Sequence, residues 1–221
     1  MGGERLAPLT PEEFQRATGV SRETVDRLRV YEMLLRKWQR TINLVGPSTL
    51  SDPWRRHFLD SAQLYALAPQ GARCWVDVGS GAGFPGLVLA LLGARQVHLV
   101  ESDARKAAFL REVARATEAP VLVHTSRSEA VSRETVGGAD ADVIMARAVA
   151  PPAALFEITA GVRGPATVYL LLMGREYTGP LTEARNAWKM ELDEFPSQSD
   201  PSSRVLRIQG VSRGGSCSSA I

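Results

Sequence analysis

Cysteine is scarce in this sequence, with two residues in 221. Cys74 lies in an apolar run read as the first sheet strand and Cys217 in a polar tail. Two thiols so placed exclude a disulfide framework and a cysteine metal cage, so both are expected free and no metal is expected. Long apolar runs are absent: none approaches the roughly 18 residues of a membrane span. Met1-Gly-Gly-Glu-Arg5 has no apolar signal core. These absences predict a cytoplasmic protein without membrane attachment. No internal repeat is visible. Large net charge is missing too, at +2 overall, yet the balance is uneven: residues 21–57 carry +4 before His57 is counted. That region holds Arg36, Lys37, Arg40, Arg55 and Arg56 and reads either as a phosphate-contacting face or as ordinary solvated helix.

What is present centres on Trp75-Val-Asp-Val-Gly79-Ser-Gly81-Ala-Gly83-Phe-Pro-Gly86, followed by the apolar run Leu87–Leu92. An apolar run breaks into glycines and then resumes with helical character, which reads as strand, loop, helix, with bare backbone open to a ligand. Two registers fit. Gly81-x-Gly83-x-x-Gly86 matches the dinucleotide fingerprint, and Asp77-x-Gly79-x-Gly81-x-Gly83 matches the acidic loop of S-adenosylmethionine enzymes. A pyrophosphate at the loop would be opposed by Asp77, whereas a cofactor bearing an ammonium and a sulfonium would welcome a carboxylate at the strand end. Glu101 ends a second strand and can take ribose hydroxyls in either case.

In chain order, Thr10-Pro-Glu-Glu13 is a capping box opening a short helix that stops near Gly19. Ser21 caps an amphipathic helix over 22–40, with Val25, Leu28, Tyr31, Leu35 and Trp38 on its apolar stripe. Ser51-Asp-Pro53 starts a third helix. Residues 1–70 are thus a basic helical extension. From 71 to 211 strands and helices alternate, with strands at 73–78, 96–101, 120–124, 142–145 and 167–172, then a helix near 180–188 and closing strands at 190–195 and 204–209. This predicts an α/β fold with a mostly parallel doubly wound sheet, its ligand at the carboxyl ends of the strands. Residues 212–221 read as a flexible tail.

Several further pieces accompany the loop: Asn43-Leu44, His57-Phe-Leu-Asp60-Ser61, Leu99-Val-Glu101-Ser102, Arg105-Lys106, Arg127-Ser-Glu129 and Met145-Ala-Arg147-Ala148. With them, residues 25–210 resemble the bacterial small-subunit ribosomal RNA guanine-N7 methyltransferase G family, also called glucose-inhibited division protein B. The resemblance implies a class I Rossmann-like methyltransferase that transfers a methyl group from S-adenosylmethionine to N7 of one guanosine in 16S rRNA. It implies cofactor contacts from Gly79 and Phe84 on the methionine side, Glu101 and Ser102 at the ribose and adenine edge, Ser128 and Glu129 at the adenine pocket, and Arg147 at the floor, joining Asp77, Ser80 and Gly81 of the loop. One departure stands out: Met173-Gly174-Arg175 replaces the family's Lys-Gly after the fifth strand.

Guanine N7 carries a lone pair and no proton, so no general base is required, and catalysis reduces to alignment and charge solvation. The sequence accordingly lacks the Asp/Asn-Pro-Pro-Tyr/Phe element of amino-group methylation and a Pro-Cys or Thr-Cys nucleophile. Positioning candidates are Arg147, His57 and Asp60, the last two one helical turn apart. Candidate RNA contacts are Arg36, Lys37, Arg40, Arg55, Arg56, Arg127 and Arg175. The expected partner is 16S rRNA or the 30S subunit, and the protein is expected to be a monomer. The competing readings are an NAD-dependent oxidoreductase using Gly81, Gly83 and Gly86, and a catalytically idle rRNA-binding assembly module.

Overall fold

The computed structural model describes residues 7–214. Thr10 accepts from the Glu13 amide while the Glu13 carboxylate takes the Thr10 amide, so α1 (Pro11–Thr18) opens on the capping box and closes at Gly19, whose φ is 69°. Ser21 caps α2 (Arg22–Trp38), which turns Val25, Leu28, Tyr31, Leu34 and Leu35 inward.

The third helix departs from the sequence expectation. A 3₁₀ turn covers Pro47–Ser51, a π-helical stretch covers Trp54–Leu59, and only α3 (Asp60–Ala62) is α-helical. The Asp60 amide bonds back to the Arg55 carbonyl, adding a residue to the turn. The wider turn brings Trp54, His57, Phe58 and Leu59 into the interior together.

The sheet then follows: β1 (Trp75–Val78), α4 (Gly86–Leu91), β2 (Val97–Val100), α5 (Ala104–Thr117), β3 (Val121–His124), β4 (Ala141–Arg147), α6 (Pro152–Ile158), β5 (Arg163–Met173), α7 (Thr178–Ala187), β6 (Trp188–Pro196) and β7 (Arg204–Arg213). Strand order is β3-β2-β1-β4-β5-β7-β6. The first five strands run parallel, and β7 is antiparallel to both β5 and β6. The order reverses between β1 and β4, so a crevice opens at their carboxyl ends.

Alternation along the strands splits the core in two. Trp75, Leu99, Met145 and Leu170 face α4, α5 and the N-terminal helices, while Val76, Val78, Ile144 and Tyr169 face α6 and α7. Tyr31, Phe58 and Phe84 belong to the first of these clusters, so the N-terminal helices and the glycine loop share one interior.

Three sequence boundaries change. α6 was not foreseen. Cys74 precedes β1 rather than lying within it, and it is free and buried, its thiol pushed up to about 11 by burial and by Asp142. Ser212 and Arg213 belong to β7, where Arg213 pairs with Glu157 and lies 4.6 Å from the Trp188 ring. The remainder of the expected tail, with Cys217, lies outside the described residues except for Gly214. Among the described residues no helix is long and apolar enough to cross a membrane, and no group of three or more His, Cys, Asp or Glu could hold a metal ion.

Candidate active site

β1 ends in backbone that only glycine adopts easily. Gly79, Gly81 and Gly83 have φ of 65°, 54° and 88°. At Gly83 a Cβ would stand 2.6 Å from the Tyr31 hydroxyl oxygen and 2.5 Å from Leu87 Cδ1, so the missing side chain lets the loop seat against α2.

A loop so rich in glycine needs external fastening, and its anchors are spread over the fold. Glu101 is buried and accepts from the Gly81 amide at 2.8 Å and from the Asp103 amide at 2.8 Å. Asp77 Oδ2 accepts from the Gly86 amide at 3.1 Å, and the Ser80 amide donates to the Val100 carbonyl at 2.9 Å. The buried Tyr31 hydroxyl donates to the Ala82 carbonyl. Tyr31 also stacks on Phe84, with ring centres 5.1 Å apart.

Beside the loop lies a cavity of about 490 Å³, within the range of small-molecule sites. Its walls come from four places: the break at Leu44–Thr49, the helical turn holding Arg56, His57 and Asp60, the loop residues Gly79–Ala82 with Phe84, and the strand ends Arg147–Val149 and Leu172–Gly174. The β6–β7 hairpin contributes Ser199, Asp200, Ser203 and Arg204 to the rim, and α5 contributes Lys106.

Arg147 is the hub. Its Nη1 lies 2.8 Å from His57 Nδ1, and the guanidinium carbon sits 5.0 Å from the centre of the Phe84 ring. Arginine only donates, so His57 Nδ1 accepts and Nε2 carries the proton. That proton points to Thr49 Oγ1 at 2.8 Å, and Thr49 in turn donates to the Gly46 carbonyl at 2.6 Å. Burial, followed by the charges of Arg147 and Arg56, pulls His57 down to about 3, so it is neutral throughout the physiological range. Asp60 Oδ2 stands 3.9 Å from Arg147 Nη1. Burial raises the Asp60 carboxyl, opposed by the hydroxyl of Ser199 and the charge of Arg147.

Of the residues singled out in the sequence, Gly79, Ser80, Gly81, Phe84, Arg147, His57 and Asp60 line this one cavity. Asp77 does not. It is sealed beneath the loop, its Oδ1 has no hydrogen-bond partner, and burial raises it to about 7. The carboxylate that the sequence suggested would face a cation instead holds the helix start from below. Glu101, Ser102, Ser128 and Glu129 also lie off the cavity wall, with Ser102 and Glu129 exposed.

The basic residues are mostly engaged. Arg36 pairs with Glu32, Lys37 with Glu112, Arg55 with Asp52 and Arg56 with Asp200. Arg40, Arg127 and Arg175 are exposed and form no ion pair among the described residues. Of these cations only Arg56 lines the cavity. Thr49, Val149 and Arg204 line it without having been singled out, since none sits in a recognisable motif, and Lys106 joins them from the Arg105-Lys106 pair. Tyr31, placed in the apolar stripe of α2, carried one available signal, a hydroxyl that needs a partner when buried.

The site can be tested for S-adenosylmethionine. Gly79 and Gly81 present backbone free of side chains on the cavity wall, a Cβ on Gly81 would meet only its own loop at 3.8 Å, and Glu101 retains acceptor capacity on both oxygens. Bare backbone on the wall, backed by a buried carboxylate acceptor, fits the amino-acid and ribose parts of that cofactor.

The family model described as rRNA small subunit methyltransferase G matches residues 24–203. The ribosomal RNA small subunit methyltransferase G of Rhodospirillum centenum is 54% identical over 92% of this chain and 92% of its own. Its counterpart from Parvibaculum lavamentivorans is 53% identical over 95% of this chain and 92% of its own. Among solved structures, a mutant of MtNAS in complex with S-adenosylmethionine superposes with a TM-score of 0.57 at 17% identity, covering 91% of this chain and 84% of that one, a likeness of fold.

Proposed function

The chain belongs to the rRNA small subunit methyltransferase G family, and from that premise we propose that it transfers a methyl group from S-adenosylmethionine to N7 of a specific guanosine in 16S rRNA. The observation that carries the chemistry is the cavity at the β1–β4 switch point, which joins the glycine loop to Arg147, His57 and Asp60. The relatives support this reading and neither alternative, the oxidoreductase or the idle assembly module.

When bound, the cofactor supplies an electrophilic methyl on a sulfonium. Gly79, Ser80, Gly81 and Phe84 would hold its methionine side, with Glu101, Ser102, Ser128 and Glu129 toward the nucleoside and Asp77 supporting the loop. Arg147, locked by His57, fixes one wall of the cavity. N7 gives up no proton, so a neutral His57 that already donates to Thr49 is no handicap. Residues 1–70, with Arg36, Lys37, Arg40, Arg55 and Arg56, form the RNA-facing extension to the methyltransferase unit at 71–211, and Arg127 and Arg175 extend the basic face. Arg175 takes the place of the missing strand-end lysine as a phosphate contact. The protein acts as a cytoplasmic monomer on 16S rRNA or the 30S subunit.

The test is methyl transfer from labelled S-adenosylmethionine to 16S rRNA and 30S particles, with the product mapped by chemical cleavage at N7-methylguanosine. Transfer to a single guanosine N7 is expected. Cofactor binding with no rRNA product would overturn the assignment.

A further inference from the structure

One carboxylate in the cavity is held as a built acceptor. Asp60 Oδ1 is taken up on the side of the β6–β7 hairpin: Ser199 Oγ donates to it at 2.5 Å, Ser197 Oγ at 3.2 Å and Gln63 Nε2 at 3.0 Å. Gln63 Nε2 also donates to the Asp60 carbonyl at 2.8 Å, which fixes the amide against the same residue. Oδ2 accepts no hydrogen bond among the described residues, and its nearest cation is Arg147 Nη1 at 3.9 Å, too far for one. Unlike Oδ1 of Asp77, it is not among the buried side-chain atoms lacking a partner, and Asp60 lines the cavity. Arg147 is committed elsewhere, to His57 Nδ1 at 2.8 Å and the Arg56 carbonyl at 3.4 Å, so its charge stands near Oδ2 without covering it.

The chemistry of the acceptor base decides what can occupy that oxygen. Guanine offers acceptors, O6 and N7, on one edge, while its N1–H and 2-amino group are donors on the other. A protein group that donated to N7 would block the lone pair that takes the methyl. An acceptor on the protein that meets the donor edge selects guanine while leaving that lone pair free. We propose that Asp60 Oδ2 reads the N1–H and 2-amino group of the target guanine and so leaves N7 directed away from it, toward the glycine loop. This rests on the N7-methyltransferase reading above. Adenine has N7 too but an unprotonated N1 and no 2-amino group, so the carboxylate would face a lone pair. Inosine keeps N1–H and loses the amino group. A site built around a buried hydrogen-bonding group rejects substrates that leave it unpaired far more strongly than an apolar pocket rejects a missing methylene.

The experiment uses the full chain with a 16S rRNA substrate carrying guanosine, inosine or adenosine at the mapped position. With the unsubstituted enzyme, kcat/KM is expected to fall by about tenfold for inosine and by at least about a hundredfold for adenosine. Asp60→Asn is then measured on all three, alongside calorimetry with S-adenosylmethionine and a melting curve. Its kcat/KM on guanosine is expected to drop by about a hundredfold, its cofactor Kd to move less than about threefold, and its preference for guanosine over adenosine to shrink.

A loss of activity that leaves the guanosine preference intact would make Asp60 a fastening for the β6–β7 hairpin and overturn the proposal. So would a cofactor Kd that weakens in step with activity. If Asp60→Asn does not fold, equal rates on guanosine and inosine with the unsubstituted enzyme overturn it without any variant. Methyl transfer to a guanine atom other than N7, or no transfer at all, is a separate outcome: the N7 reading fails then, before base selection is tested.

Discussion

Asp77 carries a charge that the fold holds at a cost, because burial raises its pKa from 3.8 to about 7 and leaves Oδ1 without a partner. The folded protein keeps this proton up to about pH 7, while the unfolded chain releases it near 4. Between those values the folded state binds more protons, so this group makes stability fall as pH rises from about 4 to about 7, and the full penalty stands above 7. Asp77→Asn keeps an acceptor for the Gly86 amide and removes the charge. Its melting temperature is expected to exceed that of the unsubstituted protein at pH 8, with the difference vanishing toward pH 4.

Tyr31 acts on the same loop from the opposite side. Tyr31→Phe preserves the stack on Phe84 and deletes only the donor to the Ala82 carbonyl. A loss of about 1–2 kcal/mol in stability is expected in denaturant titration. The cofactor Kd is expected to rise as well, because a loop with positive φ at three glycines depends on such anchors. An unchanged Kd in calorimetry would restrict Tyr31 to packing.

At the level of elements, α4 and β1 meet where no side chain fits. A Cβ on Gly86 would stand 2.4 Å from Leu99 Cδ2 and 2.7 Å from Asp77 Oδ2. Gly86→Ala therefore overpacks the start of α4, with an expected cost of about 1–3 kcal/mol. In a chain of this size that lowers the melting temperature by about 2–12 °C, which calorimetry would read.

Elements whose signals are local were legible in the sequence. The Thr10–Glu13 box, the Ser21 cap and the strand–glycine–helix pattern at 75–91 each depend on neighbours a few residues away. The π turn at Trp54–Leu59 depends instead on the long-range packing of Phe58 against Tyr31 and Phe84, which no periodicity within the segment records. α6 is seven residues long, and Pro151-Pro152 reads as a break as readily as a helix start. Within the cavity, His57, Asp60, Phe84 and Arg147 could be named because recognisable motifs carry them. Thr49 arrives from a 3₁₀ turn, Val149 from the loop after β4 and Arg204 from the start of β7, placed by the fold alone. Asp77 reads correctly as a strand-end residue, but its facing is not legible in the sequence, since only the folded sheet shows that it points beneath the loop toward the start of α4.

For the whole molecule, the N-terminal helices and the sheet are joined through aromatic contacts. Phe58 is fully buried, with ring centres 5.4 Å from both Tyr31 and Phe84, and Trp54 packs on Phe14 at 5.3 Å. Residues 71–214 expressed alone would expose Phe84, Leu87 and Leu89 to water, and they are expected to lack a cooperative unfolding transition in circular dichroism. Phe58→Ala in the full chain is expected to cost about 3–5 kcal/mol.

The β6–β7 hairpin reaches back across the fold, and Ser199 and Asp200 clasp Asp60 and Arg56, more than a hundred residues earlier in the chain. Synthesis runs from the N-terminus, so the helical turn, the glycine loop and Arg147 all emerge before the hairpin that closes the cavity. A nascent chain paused ahead of residue 199 holds every loop glycine and the arginine hub but an unclasped Asp60. Closure of the cavity is therefore the last step of its assembly, completed only after the hairpin has emerged and paired with Asp60.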